Sequence, residues 1–141
     1  RVLVQGSNWY GLWLRDSATA NLDRTTFVLN MVEGVILRDT NLVTIERCLF
    51  SRNGFGIFAD IDANAQLNCN LLWNNDYGDY RGVTAGVEDI LEDPLFCDPE
   101  NGNWHLQPGS PGLEAACGED QQIGAFGSCP DLRILPQWGS P

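Results

Sequence analysis

Apolar and polar residues alternate along the chain in short runs that restart at regular intervals, and no stretch holds the helical period. The run Gly11-Leu12-Trp13-Leu14-Arg15-Asp16 lies over Gly34-Val35-Ile36-Leu37-Arg38-Asp39 and over Gly56-Ile57-Phe58-Ala59-Asp60-Ile61, the glycines being 23 and then 22 residues apart. The same offsets return at Leu22, Ile45 and Leu67, at Phe27, Phe50 and Leu72, and at Asn30, Asn53 and Asn75. Four columns in one register mark an internal repeat. Each unit reads as an alternating strand after glycine, a polar turn, a second strand such as Val43-Thr44-Ile45, and a third such as Leu49-Phe50 that ends at asparagine. Strands this short cannot bury a face alone, so the units are expected to stack as rungs about 4.8 Å apart, bonded sideways through the backbone. The predicted core is then a set of inward columns: Leu12, Val35 and Ile57; Leu14, Leu37 and Ala59; Leu22, Ile45 and Leu67; Phe27, Phe50 and Leu72.

Corners between strands need special backbone. Asparagine tolerates left-handed conformations, and stacked asparagines bond through their amides, so Asn30, Asn53 and Asn75 are expected to form a structural ladder, with the following glycines serving the same bend. A fourth rung starts at Gly78 but dissolves in Asp79-Tyr80-Arg81-Gly82. The chain therefore divides into about three to four rungs over residues 1–82 and a turn-rich capping segment of the same domain over 83–141. Trp104 and Leu106 alternate with His105 and Gln107, so one face of this segment is expected to lie on the last rung and cover its unpaired edge. The opposite end, at Val2 to Val4, begins at Arg1 inside a strand-like run without such a cover. That predicts an excised fragment with further rungs upstream, or head-to-tail stacking on another chain.

Composition narrows the partners. Nineteen acids against eight arginines give a net charge of −11, which repels phosphate backbones and anionic membrane faces alike. Nucleic acid is excluded on this ground, and the lack of a long apolar run excludes membrane insertion. Neutral sugars or a hard cation suit such a surface better. Five cysteines without a C-x-x-C pair argue against zinc. Cys117 and Cys129, each beside turn residues, close a short loop around Ile123 to Phe126 and are the expected disulfide, which fits a secreted or cell-surface protein. Cys48 is expected as a small buried filler. Cys69, one position out of register with Cys48, is not expected to bridge to it.

These columns, together with Asp93-Pro94-Leu95-Phe96-Cys97-Asp98-Pro99-Glu100-Asn101-Gly102-Asn103-Trp104-His105-Leu106-Gln107-Pro108-Gly109-Ser110-Pro111 and Ile123-Gly124-Ala125-Phe126, resemble the C-terminal portion of the pectate-lyase-like right-handed parallel β-helix repeat proteins of bacteria. The resemblance covers residues from about 8 to 129, and its terminal motif is the more specific part. It implies an all-β solenoid. It leaves function open, because that superfamily spans lyases, hydrolases, epimerases, binding modules and inert surface proteins.

Lyases of this type need carboxylates for calcium plus a basic residue, and hydrolases need paired acids on one strand. Arg15 with Arg38 and Asp16 with Asp39 stand on neighbouring rungs and are the catalytic candidates, but a surface charge ladder explains them first, since the third rung breaks the pattern at Ala59-Asp60. Asp60, Asp62 and Asn64 offer alternate oxygen ligands, which makes calcium the one cofactor to consider, although the glycine and glutamate of a full binding loop are missing. His105, the single histidine, has no nucleophile placed near it by any local motif and reads as a surface residue. Trp9 and Tyr10 precede the Gly11 corner, Phe55 precedes Gly56 and Tyr77 precedes Gly78, so one edge of the stack is expected to carry aromatic rings suited to sugar faces. The reading reached is a secreted module that binds polysaccharide or serves as a rigid surface element, without turnover of its own. The alternatives are the C-terminal part of a polysaccharide lyase or glycoside hydrolase, and a self-assembling solenoid.

Overall fold

The computed structural model describes residues 1–40, 42–115, 117 and 122–130; of the terminal segment read as 83–141, residues 131–141 lie outside the described residues. The first rung carries β1 (Val2–Gln5), β2 (Tyr10–Leu14) and β3 (Ala20–Asp23), the second β4 (Thr25–Val28), β5 (Glu33–Leu37) and β6 (Leu42–Glu46). The third carries β7 (Leu49–Ser51), β8 (Phe55–Ala59) and β9 (Asn64–Asn68), and a partial fourth carries β10 (Leu71–Trp73) and β11 (Gly78–Arg81). Like strands pair in parallel, giving three sheets ordered β1-β4-β7-β10, β2-β5-β8-β11 and β3-β6-β9. The chain is thus an all-β parallel solenoid of about three turns.

Register and packing follow from the columns. Leu12, Val35 and Ile57 are direct partners, as are Leu14, Leu37 and Ala59, Leu22, Ile45 and Leu67, and Phe27, Phe50 and Leu72. They fill the interior, and the Phe27 and Phe50 rings stack at 4.9 Å, 3° from parallel.

The corners differ from the expectation in their division of labour. At the ladder corner the left-handed residues are Leu29, Arg52 and Asn74, with φ between 57° and 59°, each one position before a ladder asparagine. The asparagine then serves as a bonding post: Asn30 Nδ2 donates to Asn53 Oδ1 (2.9 Å), Asn53 Nδ2 to Asn75 Oδ1 (3.0 Å), and Asn75 Nδ2 to Asp79 Oδ1 (2.8 Å). The ladder ends at an aspartate because an ionised carboxylate accepts and has no proton to pass on. Nor do Gly11, Gly34 and Gly56 serve positive φ. A Cβ on them would stand 2.5, 2.8 and 2.6 Å from the carbonyl oxygen of the residue below, so close rung contact excludes any side chain there.

From Phe96 onward the C-terminal segment, Trp104 and Leu106 included, lies along the side of the solenoid and not on its last rung. Its β12 (Phe96–Asp98) and β13 (Asn103–Leu106) form an antiparallel pair. Phe96, Trp104, Leu106 and Ile123 pack with Leu3, Val28, Leu49 and Leu71 from the outer face of β1-β4-β7-β10. Trp104 Nε1 reaches back to Gln5 Oε1 on the first rung, at 2.8 Å. What meets the last rung is the stretch from Gly82 to Ile90: Ile90 bridges Leu71, and Gly86 lies against the Leu67 carbonyl. Burial of Leu3, Val28, Leu49 and Leu71 against Phe96, Trp104, Leu106 and Ile123 favours this placement.

Candidate functional site

A triangular solenoid presents three outer faces, and here they differ in chemistry. One is buried under the C-terminal segment. The β3-β6-β9 face is polar, with Asn21, Gln66 and Asn68 exposed. The β2-β5-β8-β11 face carries aromatic rings that reach water, a feature that asks for a reason.

Two columns build that face. Tyr10, Glu33 and Phe55 are in register, and Trp13, Ile36, Phe58 and Arg81 are in register beside them. On the first rung Tyr10 meets Trp13 edge-on at 5.6 Å and Trp9 at 6.3 Å. On the third and fourth, Phe55 meets Phe58 at 6.4 Å and Tyr77 at 5.7 Å. Trp9, Trp13 and Tyr77 are exposed, at 67%, 45% and 72%. Arginines lie over both groups: the Arg15 guanidinium is 4.8 Å from the Trp13 ring centre, and that of Arg81 is 5.4 Å from Phe55 and 5.7 Å from Phe58. The edge read from the sequence as one aromatic row, Trp9, Tyr10, Phe55 and Tyr77, is therefore two platforms two rungs apart.

Between the platforms stands Glu33, which sequence reasoning missed. It is 7% exposed, and its Oε2 has no hydrogen-bond partner among the described residues. Burial pushes its carboxyl above the ordinary glutamate value, and the Arg38 and Arg81 charges pull it back in part. The one signal available was its interruption of the column from Tyr10 to Phe55.

The other candidates are brought together less. Arg15 and Arg38 do stand on adjacent rungs, with Asp60 next below them, as Arg38 N donates to Leu14 O and Asp60 N to Leu37 O. Arg15 is held by its neighbour Asp16 at 3.0 Å, with both side chains largely in water. Asp39 donates its N–H to Asp60 Oδ1 at 3.3 Å. Asp62 and Asn64 are exposed, and among the described residues no group of three His, Cys, Asp or Glu side chains is arranged to hold a metal ion. His105 is half-buried against Phe126 at 5.0 Å, its Nδ1 2.9 Å from Asn103 Oδ1.

The expected Cys117–Cys129 bridge is not formed. Cys69 pairs with Cys117 and Cys97 with Cys129, at Cα separations of 6.0 and 5.9 Å. The segment runs back along the sheet, so Cys117 comes to the Cys69 corner while Cys129 comes to β12. Cys48 remains a free, fully buried thiol. Burial pushes it up to about 12, the largest of several influences.

Residues 2–87 match the family model described as the right-handed β-helix region. No curated protein and no solved structure matches the chain.

Proposed function

The chain belongs to the right-handed β-helix family, and from that premise we propose that it is a glycan-binding module that works through the outer face of β2, β5, β8 and β11. The observation that carries this reading is the pair of ring clusters on a rigid sheet, half-buried Tyr10 with exposed Trp13 and half-buried Phe55 and Phe58 with exposed Tyr77. Flat rings stack on the apolar faces of sugars, and a sheet holds them at fixed spacing, so little ordering opposes binding. The negative net charge and the two disulfides fit a secreted or cell-surface setting. Binding in this reading involves no turnover.

The test is affinity electrophoresis through gels containing xylan, mixed-linkage β-glucan, galactomannan or polygalacturonate. Retardation by at least one glycan is expected, lost in the double variant Trp13→Ala with Phe58→Ala and kept in Trp73→Ala, whose exposed ring lies on another sheet. Retardation by none, or equal loss in Trp73→Ala, refutes it.

A second reading rests on the outermost strands β1, β2 and β3, each of which pairs on one side only. An added rung from a further chain would pair there, and sedimentation velocity across protein concentration would show it as a rising mass.

A further inference from the structure

We infer that Glu33 is the hydroxyl-reading group of the aromatic face, selecting an uncharged sugar ring seated between the Tyr10–Trp13 and Phe55–Phe58 platforms. The inference rests on the glycan-binding reading and adds to it a specificity residue and a ligand class.

Position comes first. In the column Tyr10, Glu33, Phe55 the neighbours above and below are aromatic, and in the next column Ile36 is buried to 2% exposure between Trp13 and Phe58. A valine or an aromatic residue at 33 would continue its own column of Tyr10 and Phe55 and bury well. The chain instead places there a glutamate that is 7% exposed as a residue, with one carboxyl oxygen buried and without a partner. Such a group opposes folding unless it is paired. Among the described residues no ion pair or hydrogen bond compensates it; Arg38 and Arg81 act on it only through space. A residue that works against stability on the one uncovered aromatic face is accounted for by what it does to a ligand.

Chemistry gives the class. A carboxyl between two ring platforms meets the hydroxyl-bearing edge of a sugar whose apolar face rests on the rings, and hydrogen bonds to a charged acceptor are the strong ones. Arg81, held over Phe55 and Phe58, adds donors toward the same ring. A sugar acid would bring a second negative charge to a desolvated carboxyl on a chain of net charge −11.

The test pairs binding with stability in Glu33→Val and Glu33→Gln, using the same four gels and thermal melts at pH 7. The wild type should be retarded by a neutral glycan. Glu33→Val should melt at the same or a higher temperature yet bind at least about tenfold more weakly, a split that a merely structural residue would not produce. Glu33→Gln, which keeps the shape, should fold and bind several-fold more weakly because the bond loses its charge. If Glu33→Val fails to fold, Glu33→Gln decides alone. Wild-type affinity in either folded variant overturns the inference and leaves the glycan-binding reading intact, as does strongest retardation by polygalacturonate. Retardation of the wild type by none of the gels removes both.

Discussion

Replacing Asn53 by alanine should cost roughly 2.5 to 7.5 kcal/mol. The side chain is 1% exposed and makes four hydrogen bonds. Its Oδ1 accepts from the Asn30 N–H (3.1 Å) and from Asn30 Nδ2 (2.9 Å), while its Nδ2 donates to Phe27 O (2.9 Å) and Asn75 Oδ1 (3.0 Å). Truncation orphans the buried Asn30 N–H, at about 1–3 kcal/mol, and removes three further bonds at about 0.5–1.5 kcal/mol each. Asn75 holds the equivalent place one rung lower but is half-buried, so water replaces part of what Asn75→Ala loses, and that variant should lose less than half as much. Guanidinium unfolding followed by circular dichroism measures both, with the slope unchanged if only the native bonds are affected. A loss below about 1 kcal/mol in Asn53→Ala, or a greater loss in Asn75→Ala, would refute the claim that the ladder holds the rungs together.

Three further outcomes follow from side chains already described. The bridges span 48 and 32 residues, for which loop entropy gives about 4 kcal/mol each; peptide mapping without reduction should recover Cys69 with Cys117 and Cys97 with Cys129, and Cys69→Ala should lower the melting temperature markedly. Cys48 is fully buried and pushed up to about 12, so Ellman's reagent at pH 8 should find no thiol in the native protein and one per chain in guanidinium; rapid native labelling would contradict the packing. Because the folded protein holds the Glu33 carboxyl above its ordinary value, the protonated form is favoured on folding. That stability is fully present below the ordinary glutamate value and is lost as pH rises through the raised one. Glu33→Gln should therefore gain on the wild type between pH 4 and pH 7, and an advantage that does not grow with pH would contradict the burial of the carboxyl.

Much of the solenoid was legible because its cause is local and periodic. Leu12, Val35 and Ile57 keep one register in the sequence because each must fall on its neighbour's side chain, so the spacing itself records the stacking. The glycine and asparagine columns were equally visible, but the division of roles at the corner was not. Leu29 and Arg52 adopt the left-handed conformation against their residue preferences, where Asn74 adopts it with its own, and each precedes a ladder asparagine. The path of the C-terminal segment was hidden because nothing in its own residues says which apolar surface it meets; that is decided by Leu3, Leu49 and Leu71, on strands far from it in sequence. The cysteine pairing failed with it, since Cys69 and Cys117 meet only through that path. Glu33 could not be singled out from a list of acids until the pairing of β2, β5 and β8 showed which rings flank it.

The claim that one outer face does the work is tested most directly by mapping contact on the folded protein. Backbone amide and indole resonances of the 15N-labelled chain would be followed while a neutral oligosaccharide, such as a xylan or mannan fragment, is added. Shifts concentrated on Tyr10, Trp13, Glu33, Ile36, Phe55, Phe58 and Arg81, with Asn21, Thr44 and Gln66 on the polar face unmoved, are the expected result. Shifts on the polar face or around Trp104, or none at any accessible concentration, would contradict it.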